Sequence, residues 1–338
     1  MRIVVDVMGG DHGPQTVVHG VKLALASVEQ IEKVFLVGNQ DDIQPALKNL
    51  ALADSRLEIV HASQVLTMED KPIEGIRKKK DSSILRAVEL VRDGKGDAVI
   101  SLGNTGGMLA AATIRLRNLE HVERAAIATI IPSSNSHFVL IDSGANTDCK
   151  PLHFLQFGIM GSLYAQAILG VAKPRVGILS NGSEDVKGTE LTREAAKLCA
   201  QADLNFIGYV EGHDLFADEV DVVVTDGFVG NIVLKTVESM AKAIMGNLKK
   251  ELTATPVRKL GAVIAQGAFK SLKTRMDPDL YGGAPLLGLN GIVIKAHGSA
   301  KERAIMNAIR VATVTAQHKV NHLISEQVGR VTQRLVPA

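Results

Sequence analysis

The chain has 338 residues, of which 38 are Lys or Arg, 36 are Asp or Glu and 46% are hydrophobic. This apolar content is sufficient for a large core and argues against intrinsic disorder. A net charge of only +2, the absence of tryptophan and 3% aromatic content argue against nucleic-acid binding. Cys149 and Cys199 form no disulfide framework, and Asp6 interrupts the apolar start. We therefore expect a cytoplasmic protein without a signal peptide.

Short aliphatic runs recur along the chain, and each leads through a polar loop into a helical pattern. Fully apolar, β-branched runs are typical of strands buried on both faces and joined by crossover helices. The pattern predicts a three-layer α/β/α fold with a mostly parallel sheet. The eight predicted strands cover residues 3–7, 34–37, 57–60, 98–101, 126–131, 138–141, 176–179 and 220–224. Helices are predicted to begin at Pro14, after Ser83, after Gly106 and near Lys187.

No linker divides the sequence, so we predict one catalytic domain over residues 1–338. Residues 239–275 differ, because they are helical and basic in pattern, and we interpret them as a helical excursion. A single helix there would carry an apolar stripe of Val257, Leu260, Ile264, Ala268 and Leu272. The opposite side would carry Arg258, Lys259, Lys270 and Lys273. This excursion is predicted to contact an anionic membrane or a second copy of the chain, or else to pack on the body.

Five polar, glycine-rich loops follow predicted strands, at residues 8–14, 103–107, 143–148, 180–188 and 226–231. Ligands of open parallel sheets bind beyond the carboxyl ends of the strands. Glycine permits close backbone approach, and helix N-termini attract anions. We therefore expect the five loops to lie at one edge of the sheet and to bind phosphate or another oxyanion. Ordinary turns are the alternative.

The absence of standard motifs argues against several other kinds of binding or catalytic site. The sequence has no P-loop, no dinucleotide fingerprint and no nucleophile elbow. His318 and His322 lack the surrounding pattern of a zinc site, so we interpret them as a solvated helix face. Asp218, Glu219 and Asp221 could bind a divalent cation, although a charged loop is the simpler interpretation. We expect no metal and no organic cofactor.

Considered together, the loops resemble the bacterial phosphate acyltransferases of phospholipid synthesis, the PlsX family, over nearly the whole chain. The resemblance is carried by DVMGGD (6–11), KKDSS (79–83), GNTG (103–106), DSGAN (142–146), EDVKG (184–188), TDGFVGN (225–231), GAPLLG (283–288) and HG (297–298). The segment before Lys187 departs from the usual family pattern of Asn-Ile-Gly-Glu-Glu-Glu, whereas Lys187 and Gly188 are kept.

The resemblance implies a fold similar to the isocitrate and isopropylmalate dehydrogenases and to phosphotransacetylases. It implies transfer of a fatty acyl group from acyl carrier protein to inorganic phosphate, forming acyl phosphate for a membrane glycerol-3-phosphate acyltransferase. It also implies a homodimer. The alternatives are an acyl- or acetyl-phosphate-forming transferase that uses coenzyme A, an NAD-dependent dehydrogenase, or a non-catalytic peripheral membrane scaffold.

Three side chains are candidates for catalysis. Lys187 could bind phosphate or the oxyanion, or it could be an ordinary surface lysine. Asp226 could take a proton from phosphate, orient Lys187, or cap a helix that starts near Gly230. His297 could act as an acid or base. The candidate phosphate- and substrate-binding residues are Gly103, Asn104, Thr105, Gly106, Asn146, Asn181, Gly230 and Asn231.

Acyl carrier protein is acidic, so its docking surface is expected to be basic. The run Arg77, Lys78, Lys79 and Lys80 is one candidate, and residues 258–275 are another. For the first run, a solvated loop before a helix is the equal alternative.

Overall fold

Eleven strands form one sheet in the computed structural model, which describes residues 1–184, 186–275 and 278–335. The strands are β1 (Arg2–Asp6), β2 (Lys33–Gly38), β3 (Leu57–His61), β4 (Ala98–Ser101), β5 (Ala126–Pro132), β6 (His137–Ile141), β7 (Val176–Leu179), β8 (Phe206–Val210), β9 (Val222–Val224), β10 (Ala284–Leu287) and β11 (Ile292–Lys295). Their order in the sheet is β3-β2-β1-β4-β11-β10-β5-β6-β9-β7-β8. All eight predicted strands are present.

The sheet consists of two parallel blocks that run in opposite directions. One block is β3-β2-β1-β4-β11, and the other is β6-β9-β7-β8. Between them, β10 is antiparallel to both β11 and β5, and β5 is antiparallel to β6. The loops after β1 and β4 therefore leave one edge, and those after β6, β9 and β7 leave the opposite edge. The prediction that all five loops lie at one edge is wrong.

Twelve α-helices connect the strands in the described residues. They are α1 (Gly13–Ser27), α2 (Gln40–Asn49), α3 (Pro72–Lys78), α4 (Ser83–Arg92), α5 (Thr105–Leu116), α6 (Pro151–Leu169), α7 (Glu190–Gln201), α8 (Gly227–Leu252), α9 (Pro256–Ile264), α10 (Gln266–Arg275), α11 (Glu302–Gln317) and α12 (Val320–Leu335). The helix predicted near Lys187 begins only at Glu190, because the Thr189 side chain accepts a hydrogen bond from the Thr192 N–H and caps it there.

Helices cover both faces of the sheet, as the three-layer prediction requires. One face packs continuously against α1, α2, α6, α7, α11 and α12. The second face carries two separate apolar clusters, one under α3 to α5 and one under the first part of α8. The first of these clusters extends over β11, β10 and the start of β5, through Val293, Leu286 and Ile127, so the boundary between the two clusters falls within β5.

The core also contains a long apolar helix. By length and composition α6, with 19 residues, could cross a membrane. In the structure 67% of it is buried inside the protein, as in the core helix of a soluble domain. Length and composition are therefore weak support for a span here.

The excursion is helical, as predicted, but it is not one continuous amphipathic helix. It begins on the body with α8, and Ala265 separates α9 from α10. The single stripe predicted from Val257 to Leu272 is therefore wrong, because the helix axis is interrupted within it. On α9 alone, Val257, Leu260 and Ile264 are 80%, 63% and 80% exposed. The Lys273 side chain lies outside the described residues.

Candidate active site

A row of buried polar residues ends three neighbouring strands. Asp6, Ser101 and Lys295 are the last residues of β1, β4 and β11, and the register places Ser101 beside both of the others. They share the second face with Val4, Val99 and Val293, which lie two residues earlier. Their exposed fractions are 1%, 0% and 9%. The sequence predictions did not include this row.

Hydrogen bonds connect this row to the loops that follow the strands. Ser101 Oγ donates to Asp6 Oδ2 at 2.7 Å and accepts from the Gly103 N–H at 3.1 Å. Lys295 Nζ donates to the carbonyls of Leu102, at 3.3 Å, and Ala296. The row and loops 8–11, 101–106 and 296–299 form what we call the Lys295 cluster.

Burial has opposite effects on the two ionisable groups of this cluster. It raises the pKa of the Asp6 carboxyl, although the hydrogen bonds from Ser101 and Ser83 act against that shift. It lowers the pKa of Lys295 to about 8, with the positive charge of Lys235 adding to the effect and the carboxylates of Asp6 and Asp11 opposing it. Strong pKa perturbation of this kind is typical of functional sites.

The Lys295 cluster contains five of the predicted site residues: Gly103, Asn104, Thr105, Gly106 and His297. Asn104 caps α5, because its Oδ1 accepts from the Gly107 N–H at 2.9 Å. Its Nδ2 donates to the carbonyls of Thr67 and Asp70. Asn104 therefore has no amide hydrogen left for phosphate, and the loop can offer the backbone N–H groups of Thr105 and Gly106 instead.

His297 is exposed and sits in a local turn. Its Nδ1 accepts a hydrogen bond from the Ser299 N–H at 3.1 Å. In the neutral ring the proton therefore lies on Nε2. This tautomer leaves Nε2–H as a donor toward solvent or substrate.

A second group of predicted residues surrounds Asp142 at the opposite edge. The buried Asp142 carboxylate accepts from the backbone N–H groups of Ile127, Gly144, Ala145 and Asn146, at 2.7 to 3.1 Å. Asn146 also donates through Nδ2 to Asp142 and to the Ala125 carbonyl, so both of its amide hydrogens are used. Loop 142–146 and residues 225–231 form the Asp142 cluster.

The start of α8 packs against this loop. Asp226 Oδ1 accepts from the Phe228 and Val229 N–H groups at 2.8 and 2.9 Å, so Asp226 caps α8. The helix begins at Gly227, three residues before the predicted start near Gly230. A Cβ on Gly230 would lie only 1.9 Å from the Asp142 carbonyl oxygen, which explains a glycine there.

Asn231 has an exposed side chain beside Gly144. Its amide forms no hydrogen bond within the described ranges, so its donors remain available. Lys235 lies one turn further along the same side of α8 and pairs with Glu238 at 2.8 Å. The positive charge of Lys235 also helps to lower the pKa of Lys295, although the two lysines lie on different elements.

The loop after β7 holds the remaining predicted pair. Asn181 Oδ1 accepts from the Gly188 N–H at 3.0 Å, which closes the loop. Lys187 is exposed, and its methylene chain packs against Gly182. Counting described residues only, its ammonium has no ion-pair partner, so it is available for an anion; Asp185, in the same loop, lies outside them.

Two charged segments from the sequence predictions are largely paired. Lys79 binds Asp70 at 2.5 Å and the Val65 carbonyl at 2.9 Å, whereas Arg77 and Lys80 are exposed. In the acidic segment, Asp221 pairs with Arg175 and Asp218 binds the turn between β5 and β6. The charged-loop interpretation therefore holds, and the described part of the chain contains no cluster of three metal-ligating side chains.

Comparison with solved structures defines the class of fold. The chain is similar to a phosphotransacetylase from Streptococcus pyogenes, with a TM-score of 0.64, 16% identity and 94% of each chain covered. It is also similar to a branched-chain phosphotransacylase from Enterococcus faecalis V583, with a TM-score of 0.56, 16% identity, and 94% and 99% covered. These likenesses show an α/β fold of the phosphotransacetylase type. The similarity to isocitrate and isopropylmalate dehydrogenases stays a prediction.

Sequence comparison shows the family. Residues 1–323 match the family described as Fatty acid synthesis protein. A phosphate acyltransferase from Akkermansia muciniphila is 45% identical, over 98% of this chain and 96% of the relative. One from Pelotomaculum thermopropionicum is 46% identical, over 95% and 93%. The chain belongs to the Fatty acid synthesis protein family, and it is an acyltransferase.

Proposed function

We propose that this acyltransferase transfers a fatty acyl group from acyl carrier protein to inorganic phosphate, and that the acyl phosphate enters phospholipid (phosphatidic acid) synthesis. The names of the relatives support phosphate as the acceptor. The observation that carries the proposal is the second face of the sheet. There, the anion donors of the Lys295 cluster lie at the start of α5, and those of the Asp142 cluster lie at the start of α8.

The reaction requires positioning more than chemical activation. A phosphate oxygen attacks the thioester carbon, the C–S bond breaks, and the carrier-protein thiolate leaves. Holding phosphate beside the thioester makes this step effectively unimolecular. Preorganised donors stabilise the tetrahedral oxyanion. We assign phosphate contacts to the Thr105 and Gly106 N–H groups, Asn231 and Lys187, and a donor role to His297 Nε2–H.

Asp226 has two roles in this proposal. One carboxylate oxygen caps α8, as its hydrogen bonds to Phe228 and Val229 require. The second oxygen makes no hydrogen bond within the described ranges, so it is available to accept a proton from dihydrogen phosphate. The cap and the proton acceptor can be separated experimentally, because asparagine caps helices as well as aspartate does.

Exposed apolar side chains of α8 provide a surface for a second copy of the chain. Ile232, Met240 and Ile244 lie along one side of α8 and are more than half exposed. We propose that this side contacts a second copy of the chain in a homodimer. Large apolar side chains in this position would gain about 25 cal/mol for each Å² that the partner covers.

We propose that α9 attaches the cytoplasmic protein peripherally to the membrane surface. Its apolar side chains are exposed, and Arg258 and Lys259 flank them, which suits an anionic bilayer. The acyl phosphate product carries an apolar chain, and attachment would deliver it to a membrane glycerol-3-phosphate acyltransferase. The exposed Arg77 and Lys80 would contribute to docking of the acidic carrier protein.

A hydroxamate assay tests the proposed function. Wild-type protein is incubated with acyl carrier protein that bears a fatty acyl group, with phosphate, and with hydroxylamine as the trap. Hydroxylamine alone cleaves some thioester, so a control without enzyme gives the background; we expect acyl hydroxamate above that background only when phosphate is present, and without NAD or ATP. Formation only from acyl coenzyme A would instead support the coenzyme A alternative, and no product from either donor would support a non-catalytic scaffold.

A further inference from the structure

The peptide group between Leu102 and Gly103 is hydrogen-bonded at both ends. Its carbonyl oxygen accepts from Lys295 Nζ at 3.3 Å. Its N–H donates to Ser101 Oγ at 3.1 Å, and this hydroxyl in turn donates to Asp6 at 2.7 Å. Lys295 and Ser101, the latter held by Asp6, therefore fix the orientation of one peptide plane directly before α5.

The surroundings allow this peptide little freedom. A Cβ on Gly9 would lie 2.3 Å from the Gly103 nitrogen, so the loop after β1 packs directly on it. The next residue, Asn104, is fixed by the carbonyls of Thr67 and Asp70. The free N–H groups of Thr105 and Gly106 follow at once, so their direction depends on the peptide before them.

The buried lysine is costly for the fold. Lys295 is 9% exposed, so its ammonium loses most of its hydration, and it forms no ion pair within the part of the chain that the structure describes, although the carboxylates of Asp6 and Asp11 act on it at longer range. Its hydrogen-bond acceptors are two carbonyls, which stabilise a buried positive charge less than a carboxylate would. A methionine of similar volume would avoid this cost. A buried ammonium at this position is therefore not explained by stability alone.

We infer that Lys295 is a positioning residue that orients the 103–106 loop for phosphate through the Leu102 carbonyl. This inference rests on the proposed function and deepens it. Lys295 does not itself contact the substrate. Its protonated form has three N–H donors and a positive charge. Loss of the proton removes the charge and thereby weakens the hydrogen bond to the Leu102 carbonyl.

The charged groups around Lys295 define how this role depends on pH. Asp6 of β1 and Asp11 of the following loop favour its protonated form, whereas Lys235 of α8 and burial disfavour it. Since these effects together lower the pKa to about 8, the ammonium would lose its proton as the pH rises through that value. The kcat/KM for phosphate is then expected to fall on the alkaline side.

Three variants of the full-length protein test the inference: Lys295→Met, Lys295→Arg and, as a matched control, Lys22→Met. Lys22 also donates to a loop carbonyl, that of Leu50, at 2.8 Å, but it lies on α1 near the end of α2. We expect Lys295→Met to raise the KM for phosphate about tenfold or more, with a much smaller change in kcat. Lys22→Met should leave both constants unchanged.

Arginine keeps its charge at every accessible pH. Lys295→Arg should therefore move the alkaline limb of kcat/KM upward by about one pH unit or more. The titration of phosphate itself is common to both proteins and cancels in the comparison. An alkaline limb of kcat/KM at the same pH in Lys295→Arg and wild type would overturn the inference. An unchanged KM for phosphate in Lys295→Met would also overturn it.

Two further results keep the test decisive. If Lys295→Met does not fold, Ser101→Ala can replace it, because it removes the hydrogen bond to the Gly103 N–H at the other end of the same peptide group. This variant should also raise the KM for phosphate. An unchanged KM in Ser101→Ala, together with an unmoved limb in Lys295→Arg, would also reject the inference. Wild type that forms no acyl phosphate would reject the proposed function instead, so the two failures are distinguishable.

Discussion

Gly230→Ala should uncouple α8 from loop 142–146. The new Cβ would lie 1.9 Å from the Asp142 carbonyl oxygen, whereas ordinary contacts begin at 3.4 Å. The two elements would have to separate by about 1.5 Å. Loop 142–146 resists this movement, because the Asp142 carboxylate accepts hydrogen bonds from several of its N–H groups. We expect a loss of about 3 kcal/mol in the free energy of unfolding.

The matched control is Gly246→Ala in the same helix. A Cβ at Gly246 meets no atom within 4 Å, so alanine should stabilise the helix by roughly 1 kcal/mol. Denaturant unfolding measures both variants, and the hydroxamate assay measures turnover. Because a displacement near 1 Å at a site costs about a hundredfold in rate, turnover of Gly230→Ala should fall at least about tenfold. Equal stability and turnover for the two variants would refute the packing argument.

Four further predictions address the other proposals. Lys187→Ala should lower acyl-phosphate formation at least about tenfold through a lost charge-assisted bond, and near-wild-type turnover at saturating substrates would remove Lys187 from the site. Asp226→Ala should lower both stability and rate, whereas Asp226→Asn should lower only the rate. Equal rates for Asp226→Asn and wild type would show that Asp226 only caps α8 and is not the proton acceptor. Met240→Glu should convert a dimer to a monomer in sedimentation, and a fully active monomeric wild type would contradict the homodimer. Wild type should float with anionic vesicles and Leu260→Glu/Ile264→Glu should not, so equal flotation would contradict membrane attachment.

The sequence was sufficient to predict most of the strands. Three strands were missed: β8 lies at the sheet edge and is only partly buried, β10 contains Pro285, and β11 is a four-residue run that ends in Lys295. Gly208 within β8 and Pro285 within β10 weaken the strand pattern. The reversal between the two parallel blocks was also missed, because the direction of a strand depends on its pairing partners and not on its own residues.

The same limit explains why the Lys295 cluster was not predicted from the sequence. Asp6, Ser101 and Lys295 each end an aliphatic run, so a signal was present in the sequence. Their meeting depends on the register between β1, β4 and β11, which three separate runs do not contain. Asn146, Asp226, Gly230 and Asn231 were chosen from two loops that the structure brings together in the Asp142 cluster, and their roles in binding and catalysis stay predictions.

The most direct test of the central claim is the stoichiometry of the reaction with carrier-protein donor. Mass spectrometry can follow acyl phosphate while a thiol reagent follows the released carrier protein. We predict one acyl phosphate for each thiol released, with no thiol release when phosphate is omitted. Thiol release without acyl phosphate, or product formation from acyl coenzyme A alone, would contradict the claim that the chain transfers acyl groups from carrier protein to phosphate.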